Sequence, residues 1–441
     1  MCIVDSQAMW EPQIETMPRD EILQLQLERL QVTLNRAMRN VAFYRERFAP
    51  LDFVPDGIRS LEDLAGLPLT SRMDLAEGYP YGFFAVPLRD VVRIDTAPGL
   101  TQGPAVSAYT RNDLEHWAQL VARVMTMAGV TADSVVQIPF ETGMFDGGFG
   151  YVRGAQLIGA SVISVPGGDY RKQVQVMHDY RSTVLTALPS DALHLAEELE
   201  RAELGPRGLW LQVALLGGEP WPEAVRAEIE DRLAIRTVAN HGERIAAWPG
   251  FAAECGARAG LHVNEDHFLA EIVNPDTLEP LPAGEEGELV ITTLEREALP
   301  VIRYRTGELS SMITEPCECG RTLARITPPA GRIDDTIIVR GIGIEPRAVG
   351  ETVESVLGVR TDHQVAVGER HFDDVEVRVA VPAQQAGTER GLVELGRKRG
   401  HLERELSSLL GLVVRVSIVE RSSLEGPEGA PSSVVDGRGR A

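Results

Sequence analysis

Between residues 109 and 221, short runs of β-branched and aliphatic residues alternate with longer segments of helical pattern. The runs are Val135-Val136-Gln137-Ile138, Ser161-Val162-Ile163-Ser164-Val165, Thr183-Val184-Leu185-Thr186-Ala187 and Leu211-Gln212-Val213-Ala214-Leu215-Leu216. Helical patterns lie near 110–129, 148–159, 169–179 and 189–202. Parallel neighbours need a crossover connection, and a helix supplies it on one face or the other. The alternation therefore predicts an α/β fold: a parallel sheet covered by helices on both faces. In such sheets ligands sit beyond the carboxyl ends of the strands. That places residues 139–148, 217–221 and 239–245 at one mouth.

The flanks have a different texture. Leu23, Leu27, Leu30, Leu34, Met38 and Val41 recur three or four apart, predicting one long amphipathic helix over 19–49. From about residue 262 short strands joined by tight turns point to an antiparallel section. Gly331-Arg332-Ile333-Asp334-Asp335 reads as a boundary. Beyond it, helices near 346–357 and 388–410 and strands near 363–367, 374–381 and 412–419 make a small α+β domain. The Ser-, Gly- and Pro-rich tail 422–441 is expected to lack order. A chain of 441 residues is longer than one core usually serves. Its net charge of −22 argues against nucleic acid or an anionic membrane as partner. No apolar run approaches the ~18–20 residues of a membrane span. Residues 1–18 lack the pattern of a signal peptide. Four cysteines do not make a disulfide framework, so a cytoplasmic setting is expected.

Two stretches carry possible chemistry. Thr96-Ala97-Pro98-Gly99-Leu100-Thr101-Gln102-Gly103-Pro104 lies where a glycine-rich phosphate loop would lie, between a strand-like run and the capped helix start at Tyr109-Thr110. It has the glycines but no Lys or Arg between Arg93 and Arg111. Cys255, His262, Cys317 and Cys319 offer three thiolates and one imidazole, the donor set of a closed structural Zn²⁺ site. The alternative is a set of reduced, unliganded cysteines.

Several segments together resemble the phenylacetate–coenzyme A ligase group of the adenylate-forming enzymes. They are Tyr109–Trp117, Gly217-Gly218-Glu219-Pro220-Trp221, Gly260–Phe268, Pro300–Thr306, Pro316–Thr322 and Gly331–Asp335, in order from about residue 20 to 420. The resemblance implies a large N-terminal domain over 1–330, a hinge at 331–335 turning on Asp334, and a small α+β domain over 336–441. It implies that a carboxylate is joined to AMP, that the small domain swings, and that coenzyme A then displaces AMP. Members commonly pair, so a homodimer is expected. Carried onto this chain, Phe140, Phe145, Asp146 and Gly148 fall in the acyl-substrate segment. Gly218, Glu219 and Pro220 fall in the nucleotide-base segment, Gly242 in the following run, and Glu308 at the ribose-binding acid. Arg305, Arg332 and Arg340 are candidates to bind an anion near the hinge.

Three charged positions depart from the pattern. Gly103 stands for the loop lysine, Ile245 for the metal-binding acid and Ala430 for the lysine of the small domain. Removing several charge-stabilising groups costs orders of magnitude in rate. The expectation is therefore a repurposed protein of specialised metabolism that does not form an adenylate. It would act on an acyl or aryl compound, or its thioester on coenzyme A or a carrier protein, by acid–base chemistry through His241, Glu243 and Glu141. ATP, Mg²⁺ and coenzyme A would then not be used in the ordinary way, and a structural zinc is the expected cofactor. Two alternatives stand beside it. One is a working ATP-dependent aryl- or acyl-CoA ligase that uses substitute groups. The other is a non-catalytic partner that binds and stabilises another protein or an intermediate, its polar residues filling the vacated nucleotide pocket.

Overall fold

A computed structural model describes residues 8–97, 105–140, 147–165, 167–202, 205, 208–243, 245, 249–368, 373–381, 389–424 and 433–438. Strands Val135–Ile138, Ser161–Ser164, Val184–Ala187, Val213–Leu216 and Arg236–His241 run parallel, as the alternation predicts. The two-residue period divides their side chains between two cores. Val184, Val213 and Leu215 pack with Trp117, Val121 and Tyr151 on one face. Leu185, Ala214 and Leu216 pack with Leu193 and Ile229 on the other. None of these six strand residues is more than 2% exposed, which is why the strands read as unbroken apolar runs. Each fully buried Val or Leu contributes about 1.5–3 kcal/mol.

Helix Arg111–Met127 starts at a capping box, Thr110 accepting from the Asp113 N–H while Asp113 accepts from the Thr110 N–H. Asp113 also accepts from the N–H groups of Glu297 and Ala298, at 2.7 and 3.0 Å. One carboxylate thus starts the helix and ties it to a loop far along the chain.

Next to Arg236–His241 the sheet changes sense. It continues antiparallel through Ala252–Glu254, Leu261–Val263, Arg325–Ile326, Tyr304–Ile313, Glu286–Thr293 and Phe268–Val273. This arrangement brings Tyr304–Ile313 and its companion strand Gly331–Arg332 toward the carboxyl end of Arg236–His241. The smaller C-terminal α+β domain has a four-stranded sheet in the order Val414–Val419, Val375–Ala380, His363–Val367, Val434–Asp436. Val349 and Val353 of Pro346–Leu357, and Leu402 and Leu406 of Glu389–Leu410, fill its core.

Three local expectations change. The helix over 19–49 is two helices, Arg19–Asn40 and Ala42–Phe48, divided at Val41, which is extended (φ −107°, ψ 113°). The break turns Tyr44 and Phe48 into the same core as Leu30 and Leu34. The buried face is also rotated, with Leu23 exposed while Ile22 and Gln26 are buried. Gln26 Nε2 donates there to the Phe268 carbonyl at 3.0 Å. The tail contains a strand, Val434–Asp436, because Val365–Val367 offers it a parallel edge. Finally, the turn at 98–104 joins two antiparallel strands, Arg93–Ala97 and Ala105–Tyr109, rather than a strand and a helix; the turn itself lies outside the described residues. Among the described residues no helix is long and apolar enough to cross a membrane.

Candidate active site and metal centre

The carboxyl ends of Val135–Ile138, Val213–Leu216 and Arg236–His241 open on a cleft of about 1540 Å³, lined among others by Phe140, Gly218, His241, Glu243 and Glu308. The small domain lines it as well, through the segment 336–347. Segments 139–148, 217–221 and 239–245 therefore each reach this cleft through the residues described in them. Two neighbouring strand ends are fastened by Asn240, whose Nδ2 donates to the Leu216 carbonyl at 3.1 Å while Oδ1 accepts from Tyr151 at 3.0 Å. Phe140 stacks on Tyr151, ring centres 5.9 Å apart and planes 8° from parallel. At Gly217 a Cβ would lie 2.3 Å from the Asn240 carbonyl oxygen, so only glycine lets the two strand ends approach.

A polar cluster lies where the carboxyl end of the parallel strand Arg236–His241 meets the antiparallel strand Tyr304–Ile313. His241 Nε2 is 3.0 Å from Glu308 Oε2. Both atoms are buried and neither has a well-directed hydrogen bond, so the contact is an ion pair with hydrogen-bonding capacity left over. Arg332 Nη1 lies 3.9 Å from the other Glu308 oxygen. Arg332 is itself held by Asp334 at 2.7 Å and by the Thr306 carbonyl at 2.9 Å. Gly307, at φ 74°, makes room for it: a Cβ there would lie 2.5 Å from Arg332 Nη2. Burial alone would raise Glu308, but the charge of His241, with that of Arg332, holds it below the usual carboxylate range. Burial alone would lower His241, but Glu308 outweighs it and His241 is held above its ordinary value. Burial, with the charge of Glu308, pushes Glu243 up.

The remaining sequence candidates fall as follows. Gly242 and Pro220 line the cleft. Gly148 is buried in the first turn of helix Gly147–Ile158. Arg305 is occupied by the fully buried Glu288 at 2.7 Å. Glu219 is buried and accepts from the Ser190 N–H and Oγ, both at 3.0 Å. Asp334 is exposed, bound to Arg332 and to the Thr336 N–H. Ile245 sits at the cleft edge and packs into the core with Leu30, Tyr44 and Ile302. Glu141, Phe145, Asp146, Gly103 and Ala430 lie outside the described residues. His241 and Glu308, given separate roles from sequence, form one pair. The supporting Asn240–Tyr151 bond joins residues 89 apart and carries no sequence signal.

The donor atoms of Cys255, His262, Cys317 and Cys319 all lie within 4.8 Å of one another, and all four residues are buried. Cys255 Sγ is 3.6 Å from Cys317 Sγ, and Cys319 Sγ is 3.4 Å from His262 Nε2. His262 Nδ1 faces the Leu323 carbonyl at 3.1 Å. That bond fixes the ring so that Nε2 points at the thiols, the way metal-binding imidazoles are usually held. Strands Ala252–Glu254 and Leu261–Val263 bring the first pair; the turn before Arg325–Ile326 brings the second. Beside it Arg321 Nε is 2.6 Å from Glu15, both side chains fully buried, which seats the N-terminal helix Pro12–Glu15 against this turn.

No family model matches the chain. It is 40% identical over 375 residues to the phenylacetate-coenzyme A ligase of Thermus thermophilus, covering 85% of this chain and 84% of that protein. It is 37% identical over 433 residues to the phenylacetate-coenzyme A ligase of Pseudomonas putida, covering 98% and 97%. Among solved structures, 2-hydroxyisobutyryl-CoA ligase in complex with 2-HIB-AMP and CoA in its thioesterification state superposes with a TM-score of 0.87. That match is 26% identical and covers 96% of this chain and 91% of that one. The same ligase in its postadenylation state superposes at 0.71.

These relatives overturn the expectation of a repurposed acid–base protein that forms no adenylate. Similarity to proteins named as CoA ligases runs through almost the whole chain, and it favours the working ligase that stood as the alternative. The expectation gave full weight to three missing charges. Two of those positions, Gly103 and Ala430, lie outside the described residues. Ile245, the third, is taken up by core packing, while Glu308, His241 and Arg332 keep charge in the cleft.

Proposed function

The chain belongs to the phenylacetate–coenzyme A ligase family, and we propose that it is a working ATP-dependent ligase joining an aryl or acyl carboxylate to coenzyme A. The observation that carries this reading is the match to named ligases along nearly the full length of the chain. In the first step a carboxylate oxygen attacks the α-phosphorus of ATP and pyrophosphate leaves. In the second the sulfur of coenzyme A attacks the acyl carbon and AMP leaves.

The chain's own groups fit these substrates. Glu308 Oε2 and His241 Nε2 are buried without directed partners, which suits them to the ribose hydroxyls of the nucleotide. A carboxylate kept ionised by His241 is a strong acceptor for such hydroxyls. Gly218 and Pro220 offer a backbone edge to the base, with Glu219 fixed behind them by Ser190. Phe140, stacked on Tyr151, walls the acyl group. Glu243 is the described carboxyl nearest in sequence to Ile245, and it would hold the divalent cation that accompanies the triphosphate. Asp334 would be the hinge between a large domain ending near 330 and a small domain beginning near 336.

The four Cys/His donors fit a structural Zn²⁺, which would clip the Cys255–His262 hairpin to the Cys317–Cys319 turn. Four protein donors leave no open position, so the metal would have no part in the reaction.

The test is incubation with ATP, Mg²⁺, coenzyme A and a panel of aryl and short-chain acids, read by mass spectrometry. Acyl-CoA and AMP in equal amounts for at least one acid are expected. No acyl-CoA across the panel, together with no ATP binding by calorimetry, would overturn the reading.

A further inference from the structure

A second polar cluster bridges the two domains. In the small domain, strands Ile337–Val339 and Ile342–Ile344 form a hairpin that turns on Arg340 and Gly341, with φ of 48° and 70°. A left-handed arginine is unusual and persists only where its surroundings fix it. Here the turn drives Arg340 into the large domain. Its Nη1 lies 2.9 Å from Asp191 Oδ1 and 3.4 Å from Tyr170 Oη, and its backbone N–H donates to Glu219 at 2.6 Å. The same Nη1 is 3.4 Å from Asp373 of its own domain. The complementary contact runs the other way: His194 of the large domain is 2.9 Å from Asp373. Tyr170 donates to Asp191 at 2.7 Å and stacks on His194 at 4.8 Å. A guanidinium from the small domain and an imidazole from the large one thus each engage a carboxylate of the opposite domain. Asp191 and Glu219 are both nearly fully buried. Withdrawing the hairpin would strip both of a partner, which is costly for a buried acid.

We propose that Arg340, with Asp191 and the His194–Asp373 pair, is the latch that holds the small domain in the thioester-forming orientation. These are positioning residues for the second half-reaction and not for the first. The latch spans the two domains, so it can close in only one of their orientations. The orientation it closes in is the one whose overall shape matches the thioesterification state far better than the postadenylation state. The assignment to a half-reaction rests on the ligase reading; the closed geometry of the latch does not.

The experiment measures domain orientation and the two half-reactions separately in the full chain. Dyes at Tyr180→Cys and Val413→Cys, in a Cys2→Ser background, report the distance between domains by single-molecule energy transfer. Arg340→Met and, independently, Asp373→Asn are expected to move population out of the closed distance. They should lower thioester formation from added acyl-adenylate by about tenfold or more, and carboxylate-dependent pyrophosphate exchange much less. Arg340→Lys should recover part of the loss. Unchanged distance distributions in both variants, or equal losses in the two half-reactions from proteins with wild-type melting curves, would overturn the latch. A wild type that closes through Arg340 but catalyses neither half-reaction would overturn the ligase reading and leave the latch standing.

Discussion

The Cys/His clip and the cluster around His241 and Glu308 are both buried and both polar, yet they are built in opposite ways. The clip lies within the large domain. Its four donors converge on one another, and the His262 ring is locked from behind by Leu323. The cleft cluster lies where the two domains meet, and it ends in atoms that point at each other without good hydrogen bonds. A polar group is costly to bury unless it is satisfied. On the proposed reading the clip would be satisfied permanently, by one ion, and the cleft cluster intermittently, by substrate. Stability should therefore reside in the first and turnover in the second.

The largest effect that separates them is on stability. Cys317→Ser, or stripping the metal with a chelator, is expected to lower the melting temperature by more than about 5 °C, whereas His241→Ala should shift it by no more than about 1–2 °C. Metal analysis of a chelator-free preparation should find one zinc per chain; its absence would reduce the clip to a thiol cluster and remove the contrast. Next comes catalysis. Loss of a charged hydrogen-bond acceptor costs about 1.5–3 kcal/mol, so Glu308→Ala should lower kcat/KM for ATP by about 10–150-fold while the melting curve stays in place. A smaller effect is expected at Glu243: Glu243→Gln should raise the Mg²⁺ concentration needed for half-maximal rate by about tenfold, and an unchanged requirement would place the cation elsewhere.

The smallest effect is on pH. A hydrogen bond to Asp373 holds His194 above its ordinary value despite burial, with Glu197 and Asp191 adding to it; Arg340 and Tyr170 complete the group. A group whose value is raised in the closed state stabilises that state fully below its free value of 6.5 and loses the contribution as pH rises through the raised value. The closed population should therefore decline modestly as pH rises beyond that free value, and His194→Gln should flatten the dependence.

Much of the fold was legible because its signals are local. Val135–Ile138 and Val213–Leu216 are runs of residues that suit buried strands, and Thr110 with Asp113 is a cap within one turn of helix. What escaped depends on distant parts of the chain. Val41 breaks a good helical stripe because Tyr44 is needed in a core built with Leu299 and Ile302. Val434–Asp436 is a strand only because His363–Val367 presents an edge. The clip was visible from donor count. The His241–Glu308 pair was not, since it joins a parallel strand to an antiparallel one 67 residues further along the chain. The expectation that no adenylate forms fails for a related reason: a single position such as Ile245 does not show which charges its surroundings retain.

Carboxylate-dependent exchange of labelled pyrophosphate into ATP tests the central claim most directly, because it needs neither coenzyme A nor closure of the latch. The account predicts exchange with at least one aryl or acyl acid, weakened by about 10–150-fold in Glu308→Ala at limiting ATP. No exchange with any acid, from folded protein that keeps its melting transition, would contradict it.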